Sequence, residues 1–427
     1  MKDIITKLFN LEPEDIQDIE ISSAEYTQFV LITLRVKPQK CPRCGSYTKR
    51  IHDYYQRTIA HQIIEGANTV LIFNQRRYQC MLCNKSFSES NPFTGSGARI
   101  SKYTIMRTMQ LLKSPSITFS TVSKLMKVST TTIVRIFDNH AGINAIPMPE
   151  CICIDEIYAV KYKQRAYACV LVDMHTCQIF DLLPNRHKND IACYLSAIPR
   201  QEREKVQYVC MDMWDIYRDV CSLYFSEAKI CVDSFHVIKL INHAFNLVRI
   251  RVMNGYDKNS EEYRLLKRFH WLLTKSSSKI NLSGSIDLRR YYAITGGRYI
   301  QAIDLIKRLL SIHPELEVAY YHKESYAYFN KTSDSKNAAY RLNQFITELS
   351  ASGISEFQPV KRSLRKWRKE VVNSFDRHDG KRISNGPVES VNSRLKLIKR
   401  NGNGYKDFER FRKRALYSLN NNSSIKL

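Results

Sequence analysis

Residues 151–155 read Cys-Ile-Cys-Ile-Asp, and residues 206–212 read Val-Gln-Tyr-Val-Cys-Met-Asp. Each stretch is a short apolar run that ends in an aspartate, a pattern typical of a buried strand that presents an acid at the edge of a sheet. The surrounding pattern predicts further strands at 166–173, 177–183 and 229–232, and helices at 188–198, 215–225 and 235–252. This order predicts an α/β core over residues 151–255.

The charge of the chain is large and unevenly distributed. The 427 residues carry a formal net charge of +25, which favours a polyanionic partner. Residues 41–150 contribute +9 and residues 256–427 contribute +17, whereas residues 151–255 contribute +1. This charge distribution, a nearly neutral core between basic flanks, is expected of an enzyme whose flanking segments bind nucleic acid.

Four of the twelve cysteines form two Cys-x-x-Cys pairs, Cys41 with Cys44 and Cys80 with Cys83. Two thiolates in one turn can converge on a metal, so the pairs together predict a Zn²⁺ site. The alternatives are two unrelated pairs of reduced cysteines, or a site in which His52 or His61 takes part.

The other eight cysteines are scattered through residues 151–231, which favours reduced thiols over a disulfide framework. Met1–Asn10 lacks the apolar core of a signal peptide, and no run of about 18 apolar residues occurs. We therefore expect a cytoplasmic, nucleoid-associated protein with no membrane partner.

A second DNA-binding element is predicted over residues 118–139. Two helical patterns flank the turn Lys127-Val128-Ser129, and Ser129 can cap the second helix. Thr130, Thr131 and Arg135 would then face double-stranded DNA, as in a helix-turn-helix. The alternative is a plain helical hairpin.

These patterns divide the chain into five segments. We predict a zinc-binding domain (1–95), a helix-turn-helix (96–145), the first part of the α/β core (151–255), a mostly helical insertion (256–383), and a last core helix with a basic C-terminal segment (384–427).

Three carboxylates are the candidate catalytic groups: Asp155, Asp212 and Glu389. Two aspartates at neighbouring strand ends and a glutamate from a packed helix could hold two Mg²⁺ or Mn²⁺ ions for phosphodiester chemistry. The alternative for each aspartate is a helix cap or a solvated turn. Asp215 competes with Asp212 but falls where the strand should already be helix, and Glu156 should face away from Asp155.

Several strings in the chain resemble the ISL-three family of bacterial insertion-sequence transposases, which belongs to the DDE class and has an RNase H-like catalytic core. The resemblance rests on the strings Ile154–Glu156, Asp212–Tyr217, Asp233–His236 and Asn385–Lys396, and on the cysteine pairs with Arg77–Phe87. It implies binding to terminal inverted repeats, metal-dependent cleavage of the element ends, and joining of the 3′-hydroxyls to target DNA. Two ends imply at least a homodimer on DNA.

Position by position, the resemblance assigns Asp155, Asp212 and Glu389 to the metal-binding triad. Asp233 and His236 match an acidic-x-x-His motif, for which the alternative is a capping aspartate and a structural histidine. Trp214 could stack on a base or could pack over the site.

The last two helical stretches carry further polar and basic candidates. Asn392, Lys396, Lys399 and Arg400 are expected on the same helix face as Glu389. A more C-terminal cluster is expected to contact phosphate, with a solvated helix face as the alternative; it comprises Arg410, Arg412, Lys413 and Arg414.

Two other functions share some of these features. A zinc-finger and helix-turn-helix regulator with an inactive transposase-like domain would share the basic N-terminal half but has no need for the three acids. A nuclease with the same core would cut DNA without joining it.

Overall fold

A computed structural model describes residues 11–62, 68–95, 97–162, 165–287 and 299–426. The expectation for Met1–Asn10, and the parts of the predicted segments at 63–67 and 288–298, lie outside these residues. The chain forms two compact units, the first comprising residues 1–146, 158–166 and 391–427 and the second residues 147–157 and 167–390. These units differ from the five predicted segments, whose boundaries remain a proposal.

A five-stranded sheet organises the second unit, with the spatial order β11-β10-β9-β12-β13. β12 is parallel to both β9 and β13, whereas β10 and β11 are antiparallel to each other. This is the α/β core that the strand and helix pattern predicts, in the RNase H-like arrangement that the family resemblance implies. Its strands and helices are β9 (Cys151–Tyr162), β10 (Arg165–Asp173), β11 (Ile179–Leu183), α4 (Lys188–Ser196), α5 (Arg200–Arg203), β12 (Tyr208–Met211), α6 (Asp215–Tyr224), β13 (Lys229–Val232) and α7 (Ser234–Asn254).

The register of the parallel strands places like residues side by side. Cys153 lies opposite Cys210, and Cys210 lies opposite Cys231. An aspartate follows each of these cysteines by two residues, so Asp155, Asp212 and Asp233 all follow the row of three thiols toward the same edge of the sheet. β9 extends past β12, and Asp155 therefore lies within a strand rather than at its end, which corrects the prediction from the apolar run.

The alternate residues of the same strands build the core on the other face of the sheet. Ile152, Ile154, Val209 and Met211 are each at most 1% exposed and pack with α4 and α6. Apolar side chains, some of them β-branched, occupy every second position of these strands and favour the strand conformation. Because side chains alternate between the two faces of a sheet, the acids project from the opposite face.

Residues 256–383 are mostly helical, as predicted. They bury one continuous core with α7, which includes Phe245, Leu305 and Phe345. No helix among the described residues is long and apolar enough to cross a membrane. The elements are α8 (Glu261–Arg268), α9 (His270–Thr274), β14 (Ser285–Asp287), β15 (Tyr299–Gln301), α10 (Ala302–Leu310), α11 (Pro314–Thr332), α12 (Ala338–Ala351), α13 (Gln358–Lys366) and α14 (Arg368–Asn373).

A tight hairpin links this helical segment to the last core helix. β16 (Arg377–His378) and β17 (Lys381–Arg382) pair across Asp379 and Gly380, whose φ angles are 49° and 74°. An Asp-Gly pair tolerates these left-handed conformations, which match the twist of a two-residue hairpin. The chain then enters α15 (Gly386–Asn401) with Pro387 in its first turn.

The first unit contains a second five-stranded sheet, ordered β1-β2-β6-β5 with β7 paired to β6. β2 and β6 are parallel, and the other pairs are antiparallel. The five strands of this sheet are β1 (Ile16–Ala24), β2 (Thr27–Leu34), β5 (Ile51–Ala60), β6 (Asn68–Gln79) and β7 (Ser86–Ser88). The short strands β3 (Gln39–Lys40) and β4 (Tyr47–Thr48) pair separately with each other.

Three short helices follow in the same unit: α1 (Lys102–Leu111), α2 (Phe119–Met126) and α3 (Thr130–His140). Lys127 adopts φ of 50° at the turn, and the Ser129 hydroxyl accepts a hydrogen bond from the amide of Thr132, so the predicted cap is present. After β8 (Ala141–Gly142) the unit is completed by α16 (Phe408–Leu419) and β18 (Ser424–Ile425), which pairs with β8.

Packing between α16 and the three helices is not apparent from the sequence. The Phe137 and Tyr417 rings meet edge to face at 5.6 Å. Arg414 is 1% exposed and donates hydrogen bonds to the carbonyl oxygens of Leu112, Ser114 and Ile117. Its expected phosphate contact is therefore wrong, because a guanidinium buried among carbonyl groups cannot reach DNA.

We predict that Arg414→Ala destabilises α1–α3 by on the order of 3 kcal/mol. The substitution removes a buried charged donor, and the carbonyl oxygens that accept its hydrogen bonds lose their partner. Hydrogen exchange of the amides in residues 102–140 would measure this loss. Lys406→Ala, which removes an exposed cation next to α16, should leave the exchange rates unchanged. Equal exchange in both variants would show that Arg414 does not hold these helices.

Candidate active site and metal centre

The four predicted zinc ligands converge in the first unit. The Sγ atoms of Cys41 and Cys83 lie 3.6 Å apart, those of Cys44 and Cys80 lie 3.5 Å apart, and all four lie within 4.8 Å of one another. A tetrahedral zinc with Zn–S bonds of about 2.3 Å needs sulfur atoms at about this spacing. The four thiols therefore fit Zn²⁺.

Ser46 is a further member of this cluster that sequence reasoning missed. Its hydroxyl lies 3.0 Å from Cys44 Sγ and 3.1 Å from Cys80 Sγ. The hydrogen bond from Ser46 lowers the pKa of Cys44, and it is the main cause that lowers the pKa of Cys80 to about 6. Ser46 thus favours the thiolate form that binds metal. The two histidines considered as alternatives are engaged elsewhere: His61 Nδ1 lies 2.9 Å from Ser101 Oγ, and His52 lies 3.2 Å from Asp53.

The candidate carboxylates Asp155, Asp212 and Glu389 all belong to the second unit. Asp155 and Asp212 are half-buried, within β9 and directly after β12, whereas Glu389 is exposed in the first turn of α15. Among the described residues the three do not meet as a cluster for one ion, in contrast to the four cysteines. Carboxylates that bind two ions lie farther apart than carboxylates that bind a single ion. The arrangement of these three carboxylates is therefore compatible with two cations bridged by substrate.

Several carboxylates lie near one another at this edge of the sheet, and the pKa values of two of them are shifted. Burial first, and the negative charge of Asp212 second, raise the pKa of Asp155 to about 6. Burial also raises the pKa of Asp233, with smaller contributions from Glu389 and Asp212. Both shifts arise mainly from burial and secondly from neighbouring carboxylates, and a bound cation would offset both effects.

His236 and Asp233 lie where the acidic-x-x-His resemblance expects them. Asp233 is 4% exposed and precedes α7, and His236 is in the first turn of that helix. His236 Nε2 lies 2.8 Å from Asp212 Oδ1. Burial alone would lower the pKa of His236, but its contact with the negatively charged Asp212 outweighs burial, and the pKa is raised. His236 is therefore an ion-pair partner of Asp212.

Asn385 joins these elements, although sequence reasoning gave it no role. Its side-chain amide donates to the carbonyl oxygen of Ile154 at 3.2 Å, and its backbone amide approaches Asp233 Oδ1 at 3.4 Å. Asn385 is 1% exposed and directly precedes α15. It thereby ties the start of the helix that carries Glu389 to the strands that carry the aspartates.

A cavity of about 440 Å³ opens beside Asp212 and is lined by Glu156, Arg186, Trp214, His236 and Lys239 among others. Glu156 forms an ion pair with Arg186 at 2.5 Å and lines this cavity together with Asp212. Its expected orientation away from Asp155 stays a prediction.

Trp214 and Asp215 each contact protein groups near this cavity. The Trp214 ring packs edge to face on Tyr217 at 4.6 Å and lies under the Arg186 guanidinium at 4.9 Å, which favours the packing role over base stacking. Asp215 pairs with Arg218 at 2.8 Å and with Lys366 at 2.5 Å, so Asp212 remains the better candidate ligand.

The face of α15 differs from the prediction at one position. Glu389, Lys396 and Arg400 are exposed, but Asn392 is 5% exposed and lies on the side that buries Val391 and Leu395. A three-residue step rotates the helix by about 300°, so the apolar stripe extends to Asn392. Lys399 is half-buried, and its Nζ donates to the carbonyl oxygen of Tyr158 at 2.9 Å.

The remaining DNA-binding candidates divide into exposed and engaged groups. Thr130, Thr131 and Arg135 are exposed on α3, as predicted. Arg410 donates to the carboxylate of Asp138 at 2.9 Å, and Lys413 donates to the backbone carbonyl oxygen of the same residue. Arg412 lies 3.7 Å from Glu409.

We predict that Cys44→Ser lowers the zinc content by about one atom per chain, because three thiolates hold zinc less tightly than four. Elemental analysis of the purified protein measures this. Cys193→Ser removes another exposed thiol and serves as the matched control, with no change in zinc. Full zinc retention in Cys44→Ser would contradict a four-cysteine site.

Comparison with known proteins identifies three segments. The zinc-finger of transposases related to IS204, IS1001, IS1096 and IS1165 matches residues 37–83, and the helix-turn-helix domain of transposase family ISL3 matches residues 89–141. The transposase domain of the same family matches residues 152–415. The first two segments are DNA-binding domains, so DNA is a partner of this chain, and the first is the zinc ribbon formed by the four cysteines.

Individual proteins are similar over much of the chain. The transposase for insertion sequence element IS1001 of Bordetella parapertussis is 22% identical over 381 residues, covering 88% of this chain and 87% of that protein. The transposase for IS1557 of Mycobacterium tuberculosis strain H37Rv is 23% identical, covering 67% and 64%. The Drosophila P element transposase strand transfer complex is a distant structural neighbour, with a TM-score of 0.40 and 12% identity over 77% of this chain and 94% of that one.

The transposase-domain match alone spans more than half of the residues, with the ribbon and helix-turn-helix of the same family before it. The chain therefore belongs to the ISL3 family of insertion-sequence transposases.

Proposed function

We propose that this transposase cuts the ends of its own insertion sequence and joins the freed 3′-hydroxyls to target DNA, with Asp155, Asp212 and Glu389 as the catalytic carboxylates. The observation that supports the proposal is the register of β9 and β12, which pairs Cys153 with Cys210, two residues before Asp155 and Asp212, in the unit that also holds Glu389.

The three carboxylates would hold Mg²⁺ or Mn²⁺, which prefer oxygen ligands and leave positions for substrate phosphate. When bound, a pair of such ions supplies an activated water or 3′-hydroxyl and stabilises the leaving oxygen. The raised pKa of Asp155 supports this assignment, because divalent charge would offset its desolvation and the repulsion from Asp212.

The protein's own contribution is to hold these acids in place. His236 fixes the Asp212 carboxylate, and Asn385 links the start of α15 to β9 and Asp233. Asp233 and His236 are positioning residues in this scheme, since neither needs to touch the scissile phosphate for its effect.

Recognition of the terminal inverted repeats is assigned to residues 37–141. The exposed side chains of Thr130, Thr131 and Arg135 lie on the second helix of the helix-turn-helix, which enters the major groove in such folds. Lys396 and Arg400, exposed beyond Glu389 on α15, would contact the phosphate backbone. One reaction joins two ends, so at least two protomers act together on cytoplasmic, nucleoid DNA.

We predict that Asp212→Asn abolishes cleavage at the element ends and leaves end binding intact, because an amide cannot replace the anionic ligand. A fragment with the inverted repeats that flank this gene, incubated with protein and Mg²⁺ or Mn²⁺, gives both readouts. Asp219→Asn, on the exposed side of α6, is the matched control and should cut normally.

Metal-dependent cleavage by the unmodified chain with binding alone in Asp212→Asn would support the proposal. Binding without cleavage by the unmodified chain would instead favour a regulator with an inactive domain. Cleavage without joined product, scored on a labelled target, would favour a nuclease.

We also predict that end binding weakens steeply with salt, because each neutralised phosphate releases counterions and contributes about 0.9 to the slope of log K against log salt. Arg135→Ala should reduce that slope by about one if its guanidinium contacts a phosphate. Arg200→Ala, a highly exposed arginine on α5, should leave it unchanged. If end binding does not change with salt concentration, the basic segments do not bind the DNA phosphates.

A further inference from the structure

A second group of metal-ligating side chains lies in the second unit, at the opposite end of the sheet from Asp155 and Asp212. Cys151 is the first residue of β9, His175 follows the end of β10, and His378 is the last residue of β16. One ligand atom from each lies within 4.8 Å of the other two. Sequence reasoning missed the group because His378 lies more than 200 positions after Cys151 and His175.

We propose that Cys151, His175 and His378 bind a Zn²⁺ ion in a structural site distinct from the ribbon. The His175 Nε2 and His378 Nδ1 atoms face each other at 2.9 Å. A tetrahedral zinc with Zn–N bonds of about 2.0–2.1 Å separates two nitrogen ligands by about 3.3 Å, so a small opening of the pair admits the ion. One thiolate and two imidazoles are a donor set that suits zinc.

The outer contacts of His378 match those of a metal ligand. Its Nε2 lies 3.0 Å from a carboxylate oxygen of Glu150, while its Nδ1 faces His175. A ligating histidine characteristically donates its other ring N–H to a carboxylate, which fixes the tautomer and leaves a lone pair for the metal. Without a metal, His378 Nδ1 has no proton, so His175 Nε2 carries the proton of the hydrogen bond between the two rings. In the proposed site, zinc would replace that proton.

The turn that carries His175 is held in position by its own hydrogen bonds. The amide of His175 and the hydroxyl of Thr176 donate to the Asp173 carboxylate at 2.8 and 2.6 Å, and the amide of Met174 donates to the carbonyl oxygen of Cys151 at 3.0 Å. On the other side, His378 directly precedes the Asp379-Gly380 turn. Both histidine ligands therefore lie in turns whose backbone conformation is fixed, which lowers the conformational entropy lost when zinc binds.

The charges around the cluster favour a cation. Glu150 and Asp379 lie within 3.5 Å of the two ring nitrogens of His378, and Asp379 could supply a fourth ligand beside water. Zinc binding to Cys151 would release the thiol proton, and the +1 charge of the resulting zinc–thiolate pair would be balanced by Glu150.

Zinc at this position would clamp the β16–β17 hairpin to β9 and β10. The hairpin leads through Ser384, whose carbonyl oxygen accepts from Cys153 at 3.3 Å, into Asn385 and α15. The proposed ion would thus fix the segment that delivers Glu389, although the metal site itself does not depend on the proposed catalytic role.

The test is the zinc content of the full chain after reconstitution with Zn²⁺ and removal of excess metal. We expect two zinc atoms per chain, about one in His378→Gln, about one in Cys44→Ser, and none in the double variant. His187→Gln, which alters an exposed histidine before α4, is the matched control and should retain two. One zinc atom in the unmodified chain, unchanged in His378→Gln, would overturn the proposal.

Cobalt provides a readout that does not depend on how well one variant folds. In a background in which all four ribbon cysteines (Cys41, Cys44, Cys80 and Cys83) are replaced by serine, Co²⁺ should give tetrahedral d–d bands and a thiolate charge-transfer band from a single sulfur. Both should disappear when either His175→Gln or His378→Gln is added, while the circular dichroism spectrum is retained. A cobalt spectrum insensitive to both histidine variants would also overturn the site.

Discussion

The parallel register of β9, β12 and β13 is the constraint on which the candidate active site depends. It aligns Cys153, Cys210 and Cys231 in one row, and an aspartate follows each of them by two residues toward the same edge of the sheet. A slip of one residue would exchange these side chains with the apolar residues that build the core on the other face. Burial of Ile152, Ile154, Val209 and Met211 therefore fixes the position of the acids as firmly as it fixes the sheet.

Crowding of the acids has an electrostatic cost that the surrounding groups reduce. His236 faces Asp212 directly, and the backbone amide of Asn385 approaches Asp233. Burial first, and the negative charge of Asp212 second, still raise the pKa of Asp155 to about 6, and a bound cation would offset both effects. A scaffold that concentrates negative charge in this way is consistent with the proposed metal-dependent chemistry of an ISL3 transposase.

The positive charge of the chain serves two purposes. Some basic residues are exposed, such as Arg135, Lys396 and Arg400, and are the candidates for phosphate contacts. Others stabilise the fold: Arg414 bonds to carbonyl groups of the helix-turn-helix region, and Arg382 donates to the carbonyl oxygens of Ser374 and Asn330. Net charge thus indicated a polyanionic partner correctly but could not show which residues meet it, because exposure is decided by packing.

The sequence by itself determined the features that depend on neighbouring residues. The strand and helix order of residues 151–255, the Ser129 cap and the four cysteines of the ribbon all follow from local periodicity, capping and turn chemistry. Only the tertiary structure decided that Asp155 lies within a longer strand, that Asn392 and Arg414 are buried, and that Cys151 meets His175 and His378. These depend on contacts between segments far apart in the chain, whose burial and orientation follow from how the segments pack and leave no periodic pattern in the sequence.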